Sequence, residues 1–360
     1  MSVTRAADGD VGRPGIPTAV DDLTASWLSE LLRSEGHDVE IVSLGVEPVG
    51  SGQMAGSFRL IPTYARPVDL PPTLVAKIAI GDRSQREFAS GVFRNEVLFY
   101  RRLAPTLSAP VPRCHASALS VDSTEFVLLL EDMAPAVQGD QIAGCSPEQA
   151  LAAAIAAAGM HAPRWCDTTL LDLPGLSLPT HDDRVLMDSV LEPMAETFRA
   201  RFQLSGRPAA AVDWLVATGG EWLERRPSRF ALIHGDLRVD NLLFGPDGSV
   251  TIIDWQTITV GNPLRDIAFL LSTSLTVDDR RAHERDILLA YHRRLGALGV
   301  TDYTFDDCWS DYVDSLIQAP MIIVFGCGAA MPTERGDRMF TTMLERAAAA
   351  IDDLNPTALR

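Results

Sequence analysis

The chain has 360 residues, of which 46% are hydrophobic and 22% are charged. These fractions are typical of a globular protein, and the length is long for one core but comfortable for two lobes. The formal net charge of −17 disfavours nucleic acids and anionic membrane surfaces as partners.

The first 20 residues lack the basic segment and apolar core of a signal peptide, and we interpret 1–20 as a flexible N-terminal segment. The longest apolar runs, 151–160 and 317–331, are too short to span a bilayer. The five cysteines are scattered without a Cys-x-x-Cys pair, which favours reduced thiols and no structural zinc. We therefore expect a cytoplasmic protein without membrane or nucleic-acid partners, present as a monomer or homodimer.

The N-terminal part of the chain is predicted to be rich in strands. Leucines at helical spacing predict a first helix over 21–33, and strands are predicted over 39–49, 57–64 and 73–80. Gly50, Ser51 and Gly52 separate the first two strands. Glycines at such a place allow a tight hairpin whose N–H groups can approach phosphate, although an ordinary glycine-containing hairpin explains them equally well.

Lysine is used only once. Of the 31 basic residues, 30 are arginine and one is Lys77, which lies inside the apolar strand 73–80. Its retention indicates a site that needs a compact ammonium group; the alternative is chance survival. The following helix, predicted over 86–103, carries Glu96, which can form an ion pair with Lys77. Taken alone, Glu96 is equally well explained as a solvated helix carboxylate.

Two further strands, 111–120 and 125–130, end this part of the chain. The second strand runs into the acidic segment Glu131-Asp132-Met133 and then into a proline. An apolar strand that ends in this way is typical of a connector between lobes, so a domain boundary is predicted at about residue 134.

The remainder of the chain is predicted to be mainly helical. His161, at the end of an alanine-rich helix, is interpreted as a packed structural histidine, and 167–183 is predicted to be a loop. The predicted helices cover 147–164, 184–204, 208–225, a segment starting near 261, 277–298, 305–328 and 335–354.

One β-rich segment, 231–256, interrupts these helices. Its apolar runs alternate with a polar loop that contains Asp236 and Asn241, and its last run ends at Asp254. The turn Gly245-Pro246-Asp247-Gly248 folds the segment back on itself, which brings these three side chains together. Carboxylate and amide oxygens in this arrangement suit Mg²⁺.

In chain order, the features are a glycine hairpin, a strand lysine, a helix glutamate, a connector, His-Gly-Asp-x4-Asn and Asp-Trp-Gln. This order resembles that of the protein-kinase-like fold. The sequences HGDLRVDN and IIDWQ are more similar to the aminoglycoside phosphotransferase and choline kinase branch, including ecdysteroid-kinase-like proteins, than to protein kinases. LLLEDM, HAPRW and GNPLRDIAF resemble further segments of this branch. The resemblance covers about residues 40–350.

The resemblance implies an α+β, two-lobed protein-kinase-like fold. The β-rich N-terminal lobe, 21–134, would bind nucleotide, and the mainly α C-terminal lobe, 135–360, would hold the catalytic and substrate-binding groups. The implied activity is transfer of phosphate from Mg²⁺-bound ATP, or GTP, to a hydroxyl of a small molecule. Aminoglycosides, sugars and amino alcohols are the acceptor classes that the resemblance suggests.

The resemblance also implies roles for single residues. Asp236 would accept the hydroxyl proton or orient the hydroxyl for attack, and Asn241 and Asp254 would hold Mg²⁺. Lys77, held by Glu96, would contact the α- and β-phosphates.

Other implied roles concern the main chain and the loop. Main-chain groups from Glu131 to Met133 would contact the adenine edge, and Gly50, Ser51 and Gly52 would lie near phosphate, although this glycine loop departs from any standard form. His234 would shape the catalytic loop and Asp266 would brace it. Arg238 departs from the histidine often found at its position; it would meet a phosphate or an anionic substrate group, or pair with a neighbouring acid.

Two other functions compete with a kinase. A metallohydrolase would place His234, Asp236, Asp254 and Asp266 on metals, but it leaves Lys77 without a role. A pseudokinase or nucleotide-binding scaffold predicts the loss of at least one key residue, and all of them are present.

The acceptor is expected against the C-terminal helices, where acidic and aromatic side chains suit an amine-bearing sugar or a choline-like cation. The alternative is that these residues are ordinary helix surface and core. The residues concerned are Asp213, Trp214, Glu221, Trp222, Trp309, Asp311, Tyr312 and Asp314.

Overall fold

A computed structural model describes residues 14–50, 55–225 and 227–354. The chain divides into two compact units. Unit 1 consists of Met1–Arg101 and Pro112–Asp132, and unit 2 of Arg102–Val111 and Met133–Arg360. The short segment 102–111 thus belongs to unit 2, although the chain enters and leaves it from unit 1.

Unit 1 contains an antiparallel five-stranded sheet of order β1-β2-β3-β5-β4. Two helices, α1 (Ala25–Ser34) and α2 (Arg83–Leu98), accompany it. The strands are β1 (Ile41–Val49), β2 (Ala55–Tyr64), β3 (Leu74–Ala79), β4 (Cys114–Leu119) and β5 (Phe126–Glu131).

The two faces of strand β3 have different neighbours. Ala76 and Ile78 are fully buried in a core that includes the leucines of α1. Because side chains alternate along a strand, Lys77 points to the opposite face. On that face α2 buries Phe93, which stacks on Phe126 of β5 with ring centroids 4.6 Å apart. The alternation therefore places the only lysine of the chain beneath α2.

Helix α2 begins earlier than predicted, at Arg83. Asp82 caps it, because its side chain accepts the Gln85 N–H while the Gln85 side chain accepts the Asp82 N–H. The helix ends at Leu98, and the predicted remainder to 103 is a π-helical turn, Phe99–Leu103.

Unit 2 is mainly helical, as predicted. Its helices are α3 (Pro147–His161), α4 (His181–Phe202), α5 (Gly206–Glu224), α6 (Leu264–Ser274), α7 (Val277–Ala297), α8 (Phe305–Asp314), α9 (Gln318–Ala329) and α10 (Glu334–Leu354). Side chains from α4, α5, α9 and α10 form an apolar core in this unit. Among the described residues, no helix is both long and apolar enough to cross a membrane.

The single helix predicted over 305–328 was wrong, because a 3₁₀ turn, Ser315–Ile317, divides it into α8 and α9. Pro320 gives the physical reason. A proline has no N–H, and it is tolerated only in the first turn of a helix, where that N–H would have no helical partner. The new helix therefore starts at Gln318, two residues before the proline.

The predicted β-rich interruption of unit 2 consists of short strands. These are β6 (Val137–Gln138), β7 (Ala231–Ile233), β8 (Leu242–Phe244), β9 (Val250–Ile252) and β10 (Thr259–Gly261). Strands β8 and β9 form the predicted hairpin, with Leu242 opposite Ile252, and β7 pairs with β10. Strand β6, which was not predicted, pairs with β8. These pairings fix the ends of the loops that carry the candidate site.

Candidate active site

The candidate catalytic loop begins where β7 ends, at His234, Gly235 and Asp236. Gly235 has φ +83°, a conformation that favours glycine. A Cβ atom at this position would overlap the carbonyl oxygen of Thr257. Thr257 in turn donates its hydroxyl to the His234 carbonyl, at 2.9 Å. The loop backbone therefore passes against the 255–257 turn with no room for a side chain at residue 235.

Asp266, in the first turn of α6, holds this backbone from beneath. Its Oδ2 accepts the His234 N–H at 2.7 Å, and its Oδ1 accepts the Gly235 N–H at 2.9 Å. The fully buried His161 adds a third hydrogen bond to Oδ2, at 3.2 Å. Burial by itself would raise the pKa of the Asp266 carboxyl, but the hydrogen bonds and the nearby histidines outweigh it and lower that pKa. Through these contacts Asp266 fixes the backbone of the catalytic loop, which is the bracing role predicted for it.

The hydrogen bonds of His234 fix its tautomer. Its Nε2 lies 3.0 Å from the Ile253 carbonyl, which can only accept, so Nε2 carries the proton. The deprotonated Nδ1 accepts the Asp236 N–H at 3.3 Å. The ring also packs on Trp255, at 4.8 Å between centroids. Both ring nitrogens thus serve loop geometry.

The Asp236 carboxylate is held at one oxygen. Oδ2 accepts the Asn241 side-chain amide at 3.0 Å and Arg238 Nε at 3.1 Å. Asn241 also donates to the Asp236 carbonyl at 2.8 Å. Within the described part of the chain, the side-chain hydrogen bonds of Asp236 all use Oδ2. The other oxygen, Oδ1, is therefore the one suited to accept a hydroxyl proton.

Asn241 and Asp254 are brought close by the β8–β9 hairpin. Asn241 precedes β8, and its carbonyl accepts the Ile253 N–H at 3.0 Å, directly before Asp254. The Asn241 amide nitrogen is committed to Asp236, so its side-chain oxygen is the atom suited to a cation. Asp254 has the unusual φ of +65°, and its Oδ2 accepts the Gln256 amide at 3.2 Å. A carboxylate and an amide oxygen fit the preference of Mg²⁺ for hard oxygen ligands.

The Arg238 side chain forms ion pairs with neighbouring acids, which is the second of the two roles considered for it above. Its Nε lies 3.1 Å from Asp236 Oδ2, and NH1 lies 2.9 Å from Asp240 Oδ2. Burial by itself would lower the pKa of the Arg238 guanidinium, but the attraction of the two carboxylates outweighs it and raises that pKa. Arg238 therefore acts on acids of its own loop.

In unit 1, Lys77 and Glu96 form an ion pair. Lys77 Nζ lies 2.7 Å from Glu96 Oε1, and the two side chains are 13% and 2% exposed. The alternative of a solvated Glu96 is wrong, because this side chain lies on the buried side of α2. A buried carboxylate paired with an ammonium group fixes the position of both. Their role towards a nucleotide stays a prediction.

The predicted glycine loop and connector are only partly visible. Gly50 has φ +77°, as a tight turn requires, whereas Ser51 and Gly52 lie outside the described residues. The Glu131 N–H is donated to the Arg113 carbonyl, and the Met133 carbonyl accepts the Ala136 N–H, at 2.8 and 2.9 Å. These main-chain groups thus already have protein partners, and adenine contacts here stay a prediction.

Several of the acids proposed to meet a cationic acceptor have partners inside unit 2. Asp213 lies 2.8 Å from Arg199, and Asp314 bonds both Arg225 and the indole N–H of Trp222. Asp311 accepts the Tyr303 hydroxyl, and burial raises its pKa. These contacts favour the alternative that this set is helix surface and core.

Three residues of the site had no predicted role. Asp240 lies between Arg238 and Asn241 and is 9% exposed. The buried Gln141 accepts the Val239 N–H with its side-chain oxygen, at 2.8 Å, and donates its own N–H to Asp240. Gln318 donates to the Gly235 carbonyl at 3.2 Å. Only Asp240 had a signal in the sequence, namely its place within HGDLRVDN.

We expect Gly235→Ala to destabilise the protein more than Gly248→Ala. The two glycines have nearly equal φ, +83° and +82°, but a Cβ at Gly248 meets nothing within 4 Å. Both variants bear the backbone penalty, about 1 to 2 kcal/mol for an L-residue, and only Gly235→Ala adds the overlap with Thr257. Urea denaturation of both variants measures the difference. Equal midpoints would contradict the close packing of the loop.

Comparison with known proteins agrees with these motifs. The model of a family described as the phosphotransferase enzyme family (APH) matches residues 72–303, which is more than half of the chain. Acyl-CoA dehydrogenase family member 11 of Rattus norvegicus is 27% identical over 168 residues, 45% of this chain and 20% of that protein. The chain thus spans about a fifth of the length of this relative.

Solved structures show the same fold. A candidate aminoglycoside phosphotransferase from Ralstonia eutropha JMP134 has a TM-score of 0.57 and 18% identity, covering 91% of this chain and 97% of that one. An ethanolamine kinase from Plasmodium vivax has a TM-score of 0.50 and 11% identity, covering 89% and 86%. At such identities the likeness concerns the fold alone. The predicted kinase-like fold, with its β-rich first part and helical second part, is confirmed.

Proposed function

The chain belongs to the phosphotransferase enzyme family, and from that premise we propose that it transfers the γ-phosphate of Mg-ATP to a hydroxyl group of a small molecule. The observation that carries the proposal is the Asp236 carboxylate, which is fixed through Oδ2 on a loop braced by Asp266. GTP is the alternative donor.

The chemistry that this carboxylate supports is in-line transfer. The hydroxyl oxygen forms a bond to the γ-phosphorus while the bond from phosphorus to the β,γ-bridging oxygen breaks. The hydroxyl proton passes to Asp236 Oδ1, or the carboxylate orients the hydroxyl until the proton leaves. Asn241 and Arg238 hold the carboxylate still, so the hydroxyl meets an acceptor of fixed position.

Roles towards the donor nucleotide are proposed for residues of each unit. In unit 1 Lys77, fixed by Glu96, would contact the α- and β-phosphates. In unit 2 the oxygens of Asn241 and Asp254 would hold Mg²⁺, which when bound neutralises charge on the phosphate oxygens. His234 and Asp266 keep the backbone that carries these groups in place and take no part in proton transfer.

The acceptor is proposed to be a hydroxyl-bearing small molecule such as a sugar, an amino alcohol or an aminoglycoside. The fold does not select among these classes, because proteins named as an aminoglycoside phosphotransferase and as an ethanolamine kinase share it. Since several acids of unit 2 are already paired with arginines, a strongly cationic acceptor has less support than a neutral one.

The two competing functions fit less well. A metallohydrolase needs Asp266 as a metal ligand, but this carboxylate is 1% exposed and accepts hydrogen bonds from two backbone N–H groups. Among the described residues, no group of three or more His, Cys, Asp or Glu side chains is placed to hold a metal. A pseudokinase scaffold would bind nucleotide without turnover, which the test below detects.

The expected result of an acceptor screen is phosphate attached to an organic hydroxyl. A Mg-ATP analogue should raise the melting temperature of the protein, and a further rise with one compound of a sugar, aminoglycoside, nucleoside and amino-alcohol panel identifies a binder. Mass spectrometry of the product with ATP then separates the three functions. Phosphorylated acceptor supports the kinase, inorganic phosphate alone supports the hydrolase, and nucleotide binding without either product supports the scaffold.

A further inference from the structure

We propose that Asp240 is a positioning residue that keeps Arg238 shared between two carboxylates and thereby leaves Asp236 Oδ1 to the acceptor. The proposal rests on the function proposed above. It assigns a role to a buried acid that is neither a metal ligand nor in contact with the reacting atoms.

The geometry of the Arg238 guanidinium carries the proposal. Nε donates to Asp236 Oδ2 at 3.1 Å, and NH1 donates to Asp240 Oδ2 at 2.9 Å. A guanidinium group has five donors in a fixed planar fork, and its common arrangement with a single carboxylate is bidentate. Here the fork is divided between two acids instead. Asp236 thus receives one hydrogen bond from Arg238, at Oδ2.

Asp240 can hold Arg238 NH1 in place because its own position is fixed by other contacts. Its Oδ1 accepts the Gln141 N–H at 2.8 Å and faces Arg335 NH2, near the start of α10, at 3.3 Å. Its carbonyl accepts the Gln138 side-chain amide at 2.6 Å. The side chain is 12% exposed, so it cannot swing into solvent. Oδ2 therefore stays directed at Arg238.

The charges make this division necessary. Arg238 is 20% exposed and lies between Asp236 and Asp240, so its positive charge is attracted by both. If Asp240 lost its charge, the attraction of Asp236 and the weaker attraction of Asp254 would remain. The guanidinium would then close on Asp236 with two parallel hydrogen bonds and occupy Oδ1, the oxygen that the acceptor hydroxyl needs.

The first test is Asp240→Asn, which keeps the shape and removes the charge. We expect kcat for the acceptor found in the screen to fall about ten- to a hundredfold, the size of a misplaced catalytic group, with little change in the KM for ATP. The matched control is Asp140→Asn, since Asp140 also faces Arg335, at 3.6 Å, and within the described residues its ion pair is with Arg335 and not with Arg238. A variant Asp240→Asn with unchanged kcat overturns the proposal.

The second test is the double variant Asp240→Asn with Arg238→Gln. Without the guanidinium nothing closes on Asp236, so the double variant should be more active than Asp240→Asn alone. Equal or lower activity overturns the proposal. If Asp240→Asn does not fold, Asp240→Ser takes its place in both tests. It also removes the charge, so the same fall in kcat is expected, and an unchanged kcat overturns the proposal.

A crystal structure of Asp240→Asn tests the geometry without any turnover. We expect both carboxylate oxygens of Asp236 within hydrogen-bond distance of Arg238, and retention of the single contact at Oδ2 overturns the proposal. This measurement distinguishes a failure of the proposed function from a failure of the role proposed for Asp240. A wild-type protein that phosphorylates no acceptor contradicts the proposed function, whereas an unmoved Arg238 contradicts only the role of Asp240.

Discussion

Replacing Asp236 by asparagine is expected to lower kcat about a hundred- to ten-thousandfold, the range for a residue that handles the reacting proton. Asparagine keeps an oxygen for Arg238 and Asn241, so the loop should keep its shape. It cannot accept a proton from the acceptor hydroxyl. The measurement is steady-state kinetics with the acceptor that the screen identifies.

Two comparisons make this result specific. Binding of a Mg-ATP analogue, measured by calorimetry, should be nearly unchanged, because Asn241 and Asp254 are the proposed metal ligands. The control is Asp247→Asn in the exposed turn of the same hairpin, where the Oδ1 that accepts from Ser249 remains. A variant Asp236→Asn with near-normal kcat would refute the catalytic assignment.

The largest loss of stability is expected from Asp266→Asn. The carboxylate accepts hydrogen bonds from two backbone N–H groups, of His234 and Gly235, and from His161. The amide has only one accepting atom, and its NH₂ group would face a donor. Each buried donor left without an acceptor costs about 1 to 3 kcal/mol. Urea denaturation measures the loss, with the almost fully exposed Asp278→Asn as the control.

The loss should also depend on pH in a defined direction. The pKa of Asp266 is lowered in the folded protein, so the unfolded chain binds its proton more tightly. The stabilisation is therefore complete above the unfolded pKa, about 3.9 for Asp, and is lost as the pH falls through the folded value. The stability difference between wild type and Asp266→Asn should be constant from pH 7 to about pH 5 and narrow below pH 4. A stability difference between wild type and Asp266→Asn that widens as the pH falls would contradict the role of the ionised Asp266 in holding the loop.

The parts of the site that could be predicted from the sequence are those whose structure is determined by residues close together in the chain. The hairpin 242–252 follows from its turn residues, and the pairing of Lys77 with Glu96 follows from a lysine in an apolar strand next to an amphipathic helix. Their order along the chain then indicates the family. The residues suggested to face the acceptor form no such ordered motif, and three of the four acids among them, Asp213, Asp311 and Asp314, are bonded to other side chains of unit 2.

The contacts that could not be predicted join distant parts of the chain through ordinary polar side chains. Gln141 reaches Asp240 and Val239 across about a hundred residues, and nothing in its own neighbourhood distinguishes it from a loop glutamine. Gln318 reaches the Gly235 carbonyl only because a helix starts anew at that residue. The helical periodicity predicted one helix across 315–317, so it gave no sign that a new helix starts at residue 318.

The rarity of lysine has a chemical consequence for experiments on the two units. Reagents that acylate primary amines find a single side-chain target in this sequence, and that target is buried against a carboxylate in unit 1. Unit 2 contains none. The rate of acylation at Lys77 therefore follows the transient exposure of this one ammonium group.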